Sequence, residues 1–485
     1  MWKCVIRTLA STAKPVPKLQ DVVIVGGGPA GLSILGAIKN STKCKHLLCT
    51  LIEGGSLEPV ADFYDNPPEE YTNRVVSLTP MAIEFMDTKI GNWKHINHDR
   101  IKFYNRIVAY DGQDNDSRVE FDSRTVGIDS LAAMCENINI QSSLLHLVNL
   151  LNDDSTTILD KTKVVDIYNR VEPTMSHDLP ETAPESHELD WPIIKLDNGD
   201  LIQARLFIGA DGYNSPVRKY AGIESRGWQY NRWGVVGTIK LQYEDFMSAT
   251  GWQRFLTTGP LAVLPLTEDN ATIVWSSTPE LSQILLKVSP EIFPALINAA
   301  MCLDEVDLNY YYKQLDNDPN DLSIIDDINW RMSRLNIDST PDKYPVEAVE
   351  LIENSRARFP LKLSHADTYV GPRVALVGDA AHTIHPLAGQ GLNMGQTDVA
   401  ALMEALEAGI DRGMDIGSTL VLEPYVSKAW PANHAMLGVC DKLHKIFSTD
   451  WAPLVLARGL GMKSINFVDT VKNLMIKAIS NRLLQ

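Results

Sequence analysis

The sequence predicts an α/β protein with a mostly parallel sheet assembled from discontinuous segments, a second β-sheet domain and a helical C-terminal region. Three observations predict this fold. Three apolar strands, far apart in the chain, each run into a glycine-bearing turn and then into a helical segment. Strand-like runs at 233–241, 261–266 and 271–276 lie between the second and third of these strands. Apolar residues at helical spacing follow residue 467.

Composition excludes several classes of protein. With 45% hydrophobic and 22% charged residues among 485, the chain has the composition of a globular protein with a large core. Its 44 Lys and Arg against 61 Asp and Glu leave a net charge of −17, which disfavours binding to nucleic acid. The most apolar charge-free run, 22–38, is shorter than the ~20 residues that a membrane helix needs. Six cysteines without a CxxC pair indicate neither a zinc site nor a disulfide framework.

The first 20 residues are typical of a mitochondrial presequence. They contain Lys3, Arg7, Lys14 and Lys18 among Ser, Thr and Ala, and no acidic residue occurs before Asp21. A plain N-terminal extension is the alternative. In both interpretations the fold is expected to begin at Asp21.

The first turn carries a dinucleotide-binding fingerprint. The strand at 22–25 runs into Gly26-x-Gly28-x-x-Gly31 and then into a helix, the context in which this spacing binds a pyrophosphate at the helix N-terminus. The next apolar strand ends at Glu53, 22 residues past Gly31, where a carboxylate accepts hydrogen bonds from ribose hydroxyls. A glycine-rich structural turn is the alternative, but the strand, helix and acid in register favour dinucleotide binding.

The second turn follows a predicted β-hairpin. A strand at 206–208 leads into Gly209-Ala-Asp211-Gly212, and Arg218 lies near the start of the next segment. Its guanidinium suits a pyrophosphate or a pair of carboxylates. By itself this motif does not distinguish a binding site from an ordinary turn.

The third turn ends a strand at 374–377 with Gly378-Asp379, and a glycine-rich loop follows. The Asp379 carboxylate is suited to accept a hydrogen bond from a ribitol hydroxyl. The helix expected from about Asn393 directs its N–H dipoles at a flat ring bound in front of it, and favours negative charge there. The residues that let such a ring approach the backbone closely are Pro386, Gly389 and Gly391.

His382 and His385 in the same loop have the i, i+3 spacing of a metal-binding pair. With no third ligand nearby, a structural role is favoured.

Together the three motifs resemble the signatures of the FAD-dependent aromatic hydroxylases typified by p-hydroxybenzoate hydroxylase. Their order and wide separation match as well, and the resemblance spans about 21–406. Within this family the chain is similar to the ubiquinone-biosynthesis monooxygenases, and to their eukaryotic mitochondrial branch in particular. The segments that carry this closer similarity are 73–80, 255–266 and 358–361.

The resemblance implies FAD as the cofactor and a set of residues that bind it. Arg74 is implied to lie along the pyrophosphate and Asn137 near the ribityl chain, whereas the residues alone equally allow a surface ion pair and a helix cap. Pro386 and Gly389 are implied to form the environment of the flavin ring. The implied set, with no metal ligand, is Gly26, Gly28, Ala30, Gly31, Glu53, Arg74, Asn137, Asp211, Gly212, Gly378, Asp379, Pro386, Gly389, Gly391, Leu392 and Asn393.

The resemblance also implies the reaction. A polyprenylated 4-hydroxybenzoate-type intermediate of ubiquinone biosynthesis is expected to be hydroxylated at C5 of its phenolic ring by a C4a-hydroperoxide formed from reduced FAD and O2. No residue of the sequence is identified as the base that activates the phenol. The enzyme is expected on the matrix side of the mitochondrial inner membrane, peripherally bound and in a complex with other ubiquinone-biosynthesis proteins.

The implied electron donor is a ferredoxin with its reductase, in preference to NAD(P)H. No second GxGxxG occurs between a strand and a helix, although NAD(P)H docking at the flavin domain stays open. Because an acidic enzyme and an acidic ferredoxin repel each other, we expect a local basic patch as the docking face.

The second sheet is expected to cover the flavin and to form one wall of a substrate pocket. Arg226, Trp228 and Tyr230 are candidates for that pocket, with ordinary packing as the alternative for each. Acidic stretches at 174–190 and 316–345 are expected to be surface insertions. The expected divisions are 1–20 presequence, 21–225 FAD-binding core, 226–362 substrate domain, 363–412 third motif with its helix, and 413–485 helical region.

The C-terminal region is basic, unlike the rest of the chain. From 425 to 485 there are eight Lys and Arg against three Asp. Its apolar stripe is expected either to lie on an anionic membrane surface or to pack on the body of the protein. The stripe consists of Phe467, Val468, Val471, Leu474, Met475, Ala478, Ile479 and Leu483.

Two other functions stay open. One is a flavin-dependent reductase of a prenylated lipid, or a halogenase, on the same fold; the absence of a W-x-W-x-I-P motif argues against the halogenase. The other is a non-catalytic prenyl-binding protein, which bound FAD that is reduced and reoxidised would exclude.

Overall fold

Three β-sheets organise the molecule. The computed structural model describes residues 16–169, 191–243, 249–335, 343–385 and 389–479. The strands are β1 (Lys18–Val25), β2 (Cys49–Ile52), β3 (Val75–Leu78), β4 (Ile101–Tyr104), β5 (Arg106–Asp111), β6 (Arg118–Asp122), β7 (Ala132–Glu136), β8 (Thr156–Leu159), β9 (Val164–Tyr168), β10 (Ile193–Leu196), β11 (Leu201–Gly209), β12 (Ser225–Leu241), β13 (Thr250–Leu256), β14 (Gly259–Pro265), β15 (Asn270–Ser277), β16 (Ala348–Leu351), β17 (Ala357–Ala366), β18 (Val370–Gly371), β19 (Val374–Leu376) and β20 (His382–Thr383).

Helices cover the sheets and form the C-terminal region. The α-helices are α1 (Pro29–Asn40), α2 (Glu58–Asp65), α3 (Pro80–Phe85), α4 (Asn137–Leu150), α5 (Pro216–Tyr220), α6 (Pro279–Lys287), α7 (Ile292–Cys302), α8 (Glu305–Asn317), α9 (Ser323–Ser333), α10 (Gly391–Asp411), α11 (Thr419–Phe447), α12 (Ala452–Phe467) and α13 (Asp469–Ile479). A π-turn (Met86–Ile90) and 3-10 turns (Trp93–His95, His98–Arg100, Ser123–Val126, Gly378–Ala380) complete the regular structure. The predicted α/β class is confirmed.

The first sheet is built around five parallel strands in the order β19-β11-β1-β2-β8. Val25 pairs with both Gly209 and Ile52, and Gly209 pairs with Leu376. Parallel strands present their carboxyl ends at one edge of a sheet, so the turns that follow them meet there. The three predicted motifs, which begin at Gly26, Gly209 and Gly378, are therefore brought to one edge.

The first strand begins earlier than expected. Lys18 pairs with Ile202 of β11, so β1 starts three residues before Asp21. Backbone pairing with β11 extends the strand beyond the point where its apolar pattern begins. Of the expected presequence, residues 1–15 lie outside the described residues.

The second sheet has the order β20-β17-β12-β15-β14-β13-β5-β6, and β16 pairs with β12. Its neighbouring strands are antiparallel except for β13 and β5. The runs predicted at 233–241, 261–266 and 271–276 correspond to parts of β12, β14 and β15. Helices α6 to α9 pack around an apolar core on one side of this sheet. Strands β3, β7 and β4 form a small third sheet.

The stretch at 316–345 is only in part a surface insertion. Within it α9 buries Ile324, Ile328 and Met332 in the core beside the second sheet. These residues recur every four positions, which places them on one helical face; the many acidic residues between them obscured that pattern. Residues 336–342, like the expected insertion at 174–190, lie outside the described residues.

The C-terminal helices are anchored on the second sheet. Arg458 of α12 donates to both carboxylate oxygens of Asp111, at 2.6 and 2.8 Å, and both side chains are buried. The same guanidinium donates to the carbonyls of Ile446 and Thr449 at the end of α11. One arginine therefore fixes α12 relative to both α11 and β5. No helix of the described part of the chain is long and apolar enough to cross a membrane.

Candidate functional site

A cleft of about 540 Å3 opens at the carboxyl edge of the parallel sheet. It is bounded by the three motif turns on one side and by β17 on the other. Nine of the sixteen residues implied as cofactor-binding line this cleft: Gly28, Ala30, Asn137, Gly212, Gly378, Asp379, Gly389, Gly391 and Leu392.

The first turn depends on glycine for close packing. A Cβ on Gly31 would lie 1.8 Å from the carbonyl oxygen of Gly26, and a Cβ on Gly26 would lie 2.2 Å from that of Ala210. Gly26 also has a φ of +108°, which L side chains rarely adopt. These two glycines let strand, helix and second turn approach one another, whereas Gly28 faces the cleft itself.

Glu53 lies behind the first turn at the end of β2. Its Oε2 accepts a hydrogen bond from the Gly27 N–H at 2.5 Å, and its Oε1 accepts one from Gly55 at 2.6 Å. The carboxylate therefore shapes the loop that carries Gly28.

The second turn places its charged side chains away from the cleft. The Asp211 carboxylate accepts from the Val217 N–H at 3.1 Å, and its Oδ1 is buried without a partner among the described residues. Burial raises the pKa of this carboxyl. Arg218 donates to the carbonyls of Ala380 and Tyr213, at 2.7 and 2.6 Å. Arg218 thus braces the second turn against the third.

The third turn projects Asp379 into the cleft. Gly378 has a φ of +61° and donates its N–H to Oδ2 of Asp398, on α10, at 3.0 Å. Burial raises the pKa of the Asp379 carboxyl, and nearby His382 opposes that shift. His382 lies 2.6 Å from Asp398.

His385 occupies a different environment from His382. Its ring packs between those of Tyr230 and His444, at centroid distances of 5.0 and 5.1 Å. Burial lowers the pKa of His385 to about 3, so it is neutral. Among the described residues no group of three or more His, Cys, Asp or Glu is placed to hold a metal ion.

The start of α10 is held by Asn393. Its Oδ1 accepts from the Thr79 N–H at 2.9 Å, and its Nδ2 donates to the carbonyls of Ser77 and Gly389, at 2.7 and 3.2 Å. Both ends of the Asn393 amide are thus engaged by backbone, so this side chain positions the loop. Pro386 lies outside the described residues, and Gly389, with a φ of +59°, borders the cleft.

A second cavity, of about 380 Å3, adjoins the cleft beneath the second sheet. Four residues line both spaces, Val75, Asn137, Phe359 and Gly389, so the two are neighbours. Most of the other side chains are apolar, and strands β12 to β15 supply many of them: Ile107, Met134, Val236, Trp252, Ala262, Leu264, Val274 and Ala357.

The cavity contains few groups capable of acid–base chemistry. No Asp, Glu or His occurs among its described lining residues. The Tyr104 hydroxyl lies 2.6 Å from the Ser77 hydroxyl, both buried, and burial raises the pKa of Tyr104, so it stays protonated. Arg74 lines this cavity instead of the cleft and is exposed. Tyr104 belongs to none of the motifs identified in the sequence, and the pairing of β3, β4 and β7 brings it beside Ser77.

The candidates from the start of β12 do not line the cavity. Arg226 is 82% exposed and pairs with Asp367, Trp228 is half-exposed, and Tyr230 packs against His444. β12 is 17 residues long and is bulged between 229 and 233, so its first part extends past the cavity. Val236 is the β12 residue that reaches it.

The cleft fits FAD by three features of the fold. A Cβ on Gly28 or Gly212 would meet nothing within 4 Å, so there is room beside both glycines for part of the bound cofactor. The Asn137 Oδ1 is buried, has no hydrogen-bond partner within the part of the chain that the structure describes, and is available to a hydroxyl donor. α1 begins at Gly28 without a side-chain cap, so the N–H groups of its first turn are free for a pyrophosphate.

Known proteins resemble this chain along almost its whole length. Residues 193–437 match the family described as FAD binding domain. The mitochondrial ubiquinone biosynthesis monooxygenase COQ6 of Saccharomyces cerevisiae is 46% identical over 98% of this chain and 97% of its own. The relative of the same name from Schizosaccharomyces pombe is 37% identical over 97% and 94%. The human relative is 31% identical over 94% and 91%.

Solved structures show a similar fold. PqsL of Pseudomonas aeruginosa, described as a probable FAD-dependent monooxygenase, superposes with a TM-score of 0.65 at 17% identity, over 92% of this chain and all of that one. The p-nitrophenol 4-monooxygenase PnpA of Pseudomonas putida superposes with a TM-score of 0.63 at 17% identity, over 96% of this chain and 99% of that one.

Proposed function

Because this chain belongs to the family of FAD-dependent ubiquinone biosynthesis monooxygenases, we propose that it hydroxylates C5 of the phenolic ring of a polyprenylated 4-hydroxybenzoate-type intermediate. The predicted family, enzyme class and cofactor, a flavin monooxygenase that uses FAD, are confirmed. The ring position and the substrate are the proposed part.

The observation that carries the proposal is the shared wall between cleft and cavity. Val75, Asn137, Phe359 and Gly389 border both spaces, so an aromatic ring in the cavity would lie beside a cofactor bound in the cleft. Reduced FAD supplies the oxygen activation when it is bound. The chain supplies the position of the two partners, and correct positioning accounts for a large part of catalysis in such reactions.

The protein groups act by binding and by excluding water. The first-turn residues and Glu53 are proposed to hold the ADP half of FAD and its pyrophosphate, and Asp379 and Asn137 its ribityl chain. Trp252, Leu264 and the other apolar lining residues of the cavity exclude water from the ring. The protonated Tyr104 hydroxyl donates a hydrogen bond to an oxygen of the bound substrate and does not remove its proton.

The electron donor is proposed to be an acidic ferredoxin-type protein that docks beside the cleft. Lys362 of β17 lines the cleft and stands 4.3 Å from the Tyr213 ring. On the neighbouring strand Trp228 is half-exposed, with Lys445 5.1 Å from its ring. Cations around an exposed aromatic side chain suit an anionic protein partner despite the net charge of −17.

The protein is mitochondrial, as its relatives are named. We propose that it binds the matrix side of the inner membrane through its last helices, where it also meets other ubiquinone-biosynthesis proteins. A C-terminal apolar face is formed by side chains that are 44 to 85% exposed: Trp451, Leu456, Leu460, Phe467, Val471 and Leu474. From 451 to 474 the chain has one acidic residue, Asp469, against Arg458, Lys463 and Lys472, so the charge of this segment favours an anionic lipid surface.

The experiment that tests the reaction is a single turnover. The purified holoenzyme is reduced chemically, then mixed with O2 and a polyprenyl-4-hydroxybenzoate held in detergent. We expect a product one oxygen heavier, with the new hydroxyl at C5 by mass spectrometry and NMR. A parallel assay compares turnover with ferredoxin plus reductase and with NADPH, and salt should suppress only the former.

Other outcomes assign another function. Oxidation of the flavin with an unchanged ring would contradict the proposed substrate. A product with a new bond to hydrogen instead of oxygen would favour the reductase. Equal turnover with NADPH would overturn the proposed donor while leaving the hydroxylation intact.

A further inference from the structure

The turn that carries Asp379 is held from behind by buried polar side chains. The Gly378 N–H and His382 Nε2 lie 3.0 and 2.6 Å from Oδ2 of Asp398. Asn433 of α11 donates to Oδ1 of the same carboxylate at 2.8 Å. Asp398, His382 and Asn433 are 0, 1 and 4% exposed. The three contacts tie the third turn to α10 and α11, far from solvent.

The carboxylate of Asp398 needs a positive partner, because a buried anion is costly unless it is paired. Of its three hydrogen-bonding partners among the described residues, only the imidazole of His382 can carry a charge. The backbone N–H of Gly378 and the amide of Asn433 are neutral. A contact of 2.6 Å between Asp398 and His382 has the length of a charge-assisted hydrogen bond.

The surroundings of His382 favour its charged form. Burial disfavours the imidazolium, but the carboxylates of Asp398 and Asp379 raise the pKa of His382 above its ordinary value. Asp379, in turn, is the group of this turn that faces the cleft. His382 therefore lies between a buried carboxylate and a carboxylate placed toward the cofactor.

We propose that the ion pair of His382 and Asp398 positions the cofactor-binding turn. Protonated His382 holds the Asp398 carboxylate against the Gly378 N–H, and this keeps the Asp379 carboxylate directed into the cleft. When His382 loses its proton, the buried Asp398 carboxylate is left without a positive partner, the turn relaxes, and affinity for FAD falls. The inference rests on the proposed role of Asp379 as an FAD ligand.

The network beyond this pair is structural and does not conduct protons. One amide nitrogen of Asn433 donates both to Asp398 and, at 3.2 Å, to the hydroxyl of Tyr369. An amide does not release a proton in the physiological range. The Tyr369 hydroxyl lies 2.8 Å from His365, but the Asn433 amide separates this pair from Asp398, so protons do not pass between them through Asn433.

Of the titratable groups around His382, His365 and Tyr369 stay neutral near neutral pH. Burial lowers the pKa of His365 to about 4 and raises that of Tyr369 well above its ordinary value. The other groups near His382 are the carboxyls of Asp379 and Asp398, the phenol of Tyr425 and the amide of Asn433. Arg218 donates to the carbonyl of Ala380 in the same turn. The exposed His434 lies farther away, beyond His365.

The test measures FAD dissociation constants by flavin fluorescence from pH 6 to 9, starting from holoenzyme. For the wild type we expect affinity to fall by about tenfold or more as pH rises through the pKa of His382. H382Q, which keeps a donor without the charge, should bind FAD at least about tenfold more weakly at pH 6 and lose the pH dependence. The double variant H382Q/D398N, with no buried charge, should also be pH-independent and should keep a near-native melting temperature.

Controls separate this inference from the proposed function. H444Q removes another buried histidine that does not contact Asp398, and it should keep the wild-type pH profile. D379N tests the ligand itself. If D379N weakens FAD binding while H382Q keeps the wild-type affinity and profile, the positioning role is wrong. If D379N binds FAD as tightly as the wild type, the assignment of Asp379 fails and the inference with it.

Discussion

Two glycines of the first motif, Gly31 and Gly28, have different roles although they are the same residue type. Gly31 is required by packing, because a Cβ there would lie 1.8 Å from the Gly26 carbonyl oxygen. Gly28 is not required by packing, since a Cβ there meets nothing within 4 Å and its φ of −73° suits any residue. The glycine at position 28 is explained by a ligand that approaches the backbone from the cleft.

This difference predicts opposite phenotypes for two alanine variants. G31A is expected to lose at least about 4 kcal/mol of stability or fail to fold, as strong backbone clashes do. G28A is expected to fold with a near-native melting temperature but to bind FAD at least about tenfold more weakly, because its methyl group stands where the pyrophosphate approaches. Calorimetry and flavin fluorescence on both proteins make the comparison. Native FAD affinity in G28A would contradict the assigned path of the cofactor.

At the scale of elements, the C-terminal helices show which residues of the predicted apolar stripe are buried and which are exposed. Part of the predicted stripe packs on the body of the protein and part is exposed. Met475 packs on the body beside Ile476, which is buried and is not a stripe residue, while Phe467 and Leu474 are exposed. The side chains of Ala478, Ile479 and Leu483 lie outside the described residues. The exposed part continues onto α12, which the Arg458 contact holds in a fixed orientation.

The C-terminal apolar face predicts how the protein binds membranes. L456E/L460E adds two negative charges to side chains that are 66 and 58% exposed, so folding should be unaffected. Binding to liposomes that contain cardiolipin should fall by at least about tenfold, because apolar burial is lost and anionic lipid is repelled. Flotation assays measure the effect.

A matched control makes the same chemical change elsewhere. Val306 of α8 and Leu322, which directly precedes α9, are 79 and 53% exposed. V306E/L322E should bind liposomes like the wild type. Equal loss in both variants would show a response to net charge alone, and no loss in either would overturn the assignment of this face.

At the scale of the whole molecule, several buried histidines couple folding to pH. Burial lowers the pKa of His365 and His444 to about 4 and that of His385 to about 3. In the unfolded chain each titrates near 6.5. Below that pH these histidines bind protons in the unfolded state but stay neutral in the folded state, so the free energy of unfolding falls. His382 behaves oppositely, because its raised pKa makes its contribution fall as pH rises.

The expected result is a stability maximum near neutral pH. Each neutral buried histidine contributes about 2 kcal/mol at pH 7 that is lost by pH 5, with the loss beginning near pH 6.5. Melting temperatures of the holoenzyme between pH 4.5 and 8 measure it. In H444Q, the decline between pH 6.5 and 5 should be smaller than in the wild type. An unchanged decline would mean that His444 is not buried in its neutral form.

Much of the cofactor site was accessible from local sequence. Strands, turns and the acid at position 53 are encoded within short segments, since apolar periodicity and glycine act over a few residues. The contacts of individual side chains within the motifs could be predicted less well from the sequence. Arg218 and Asn393 have the residue types of ligands, yet their side chains bind backbone carbonyls and an N–H of neighbouring turns.

By itself the sequence determined the α/β class, the three motifs, the family and the FAD cofactor, because these depend on local patterns in a known order. Only the tertiary structure decided which side chains share a space. The cavity that adjoins the cleft joins β3, β4 and strands of the second sheet. The pair of His382 and Asp398 joins two elements across the third turn. Such contacts depend on the packing of segments distant in the chain, which no local pattern specifies.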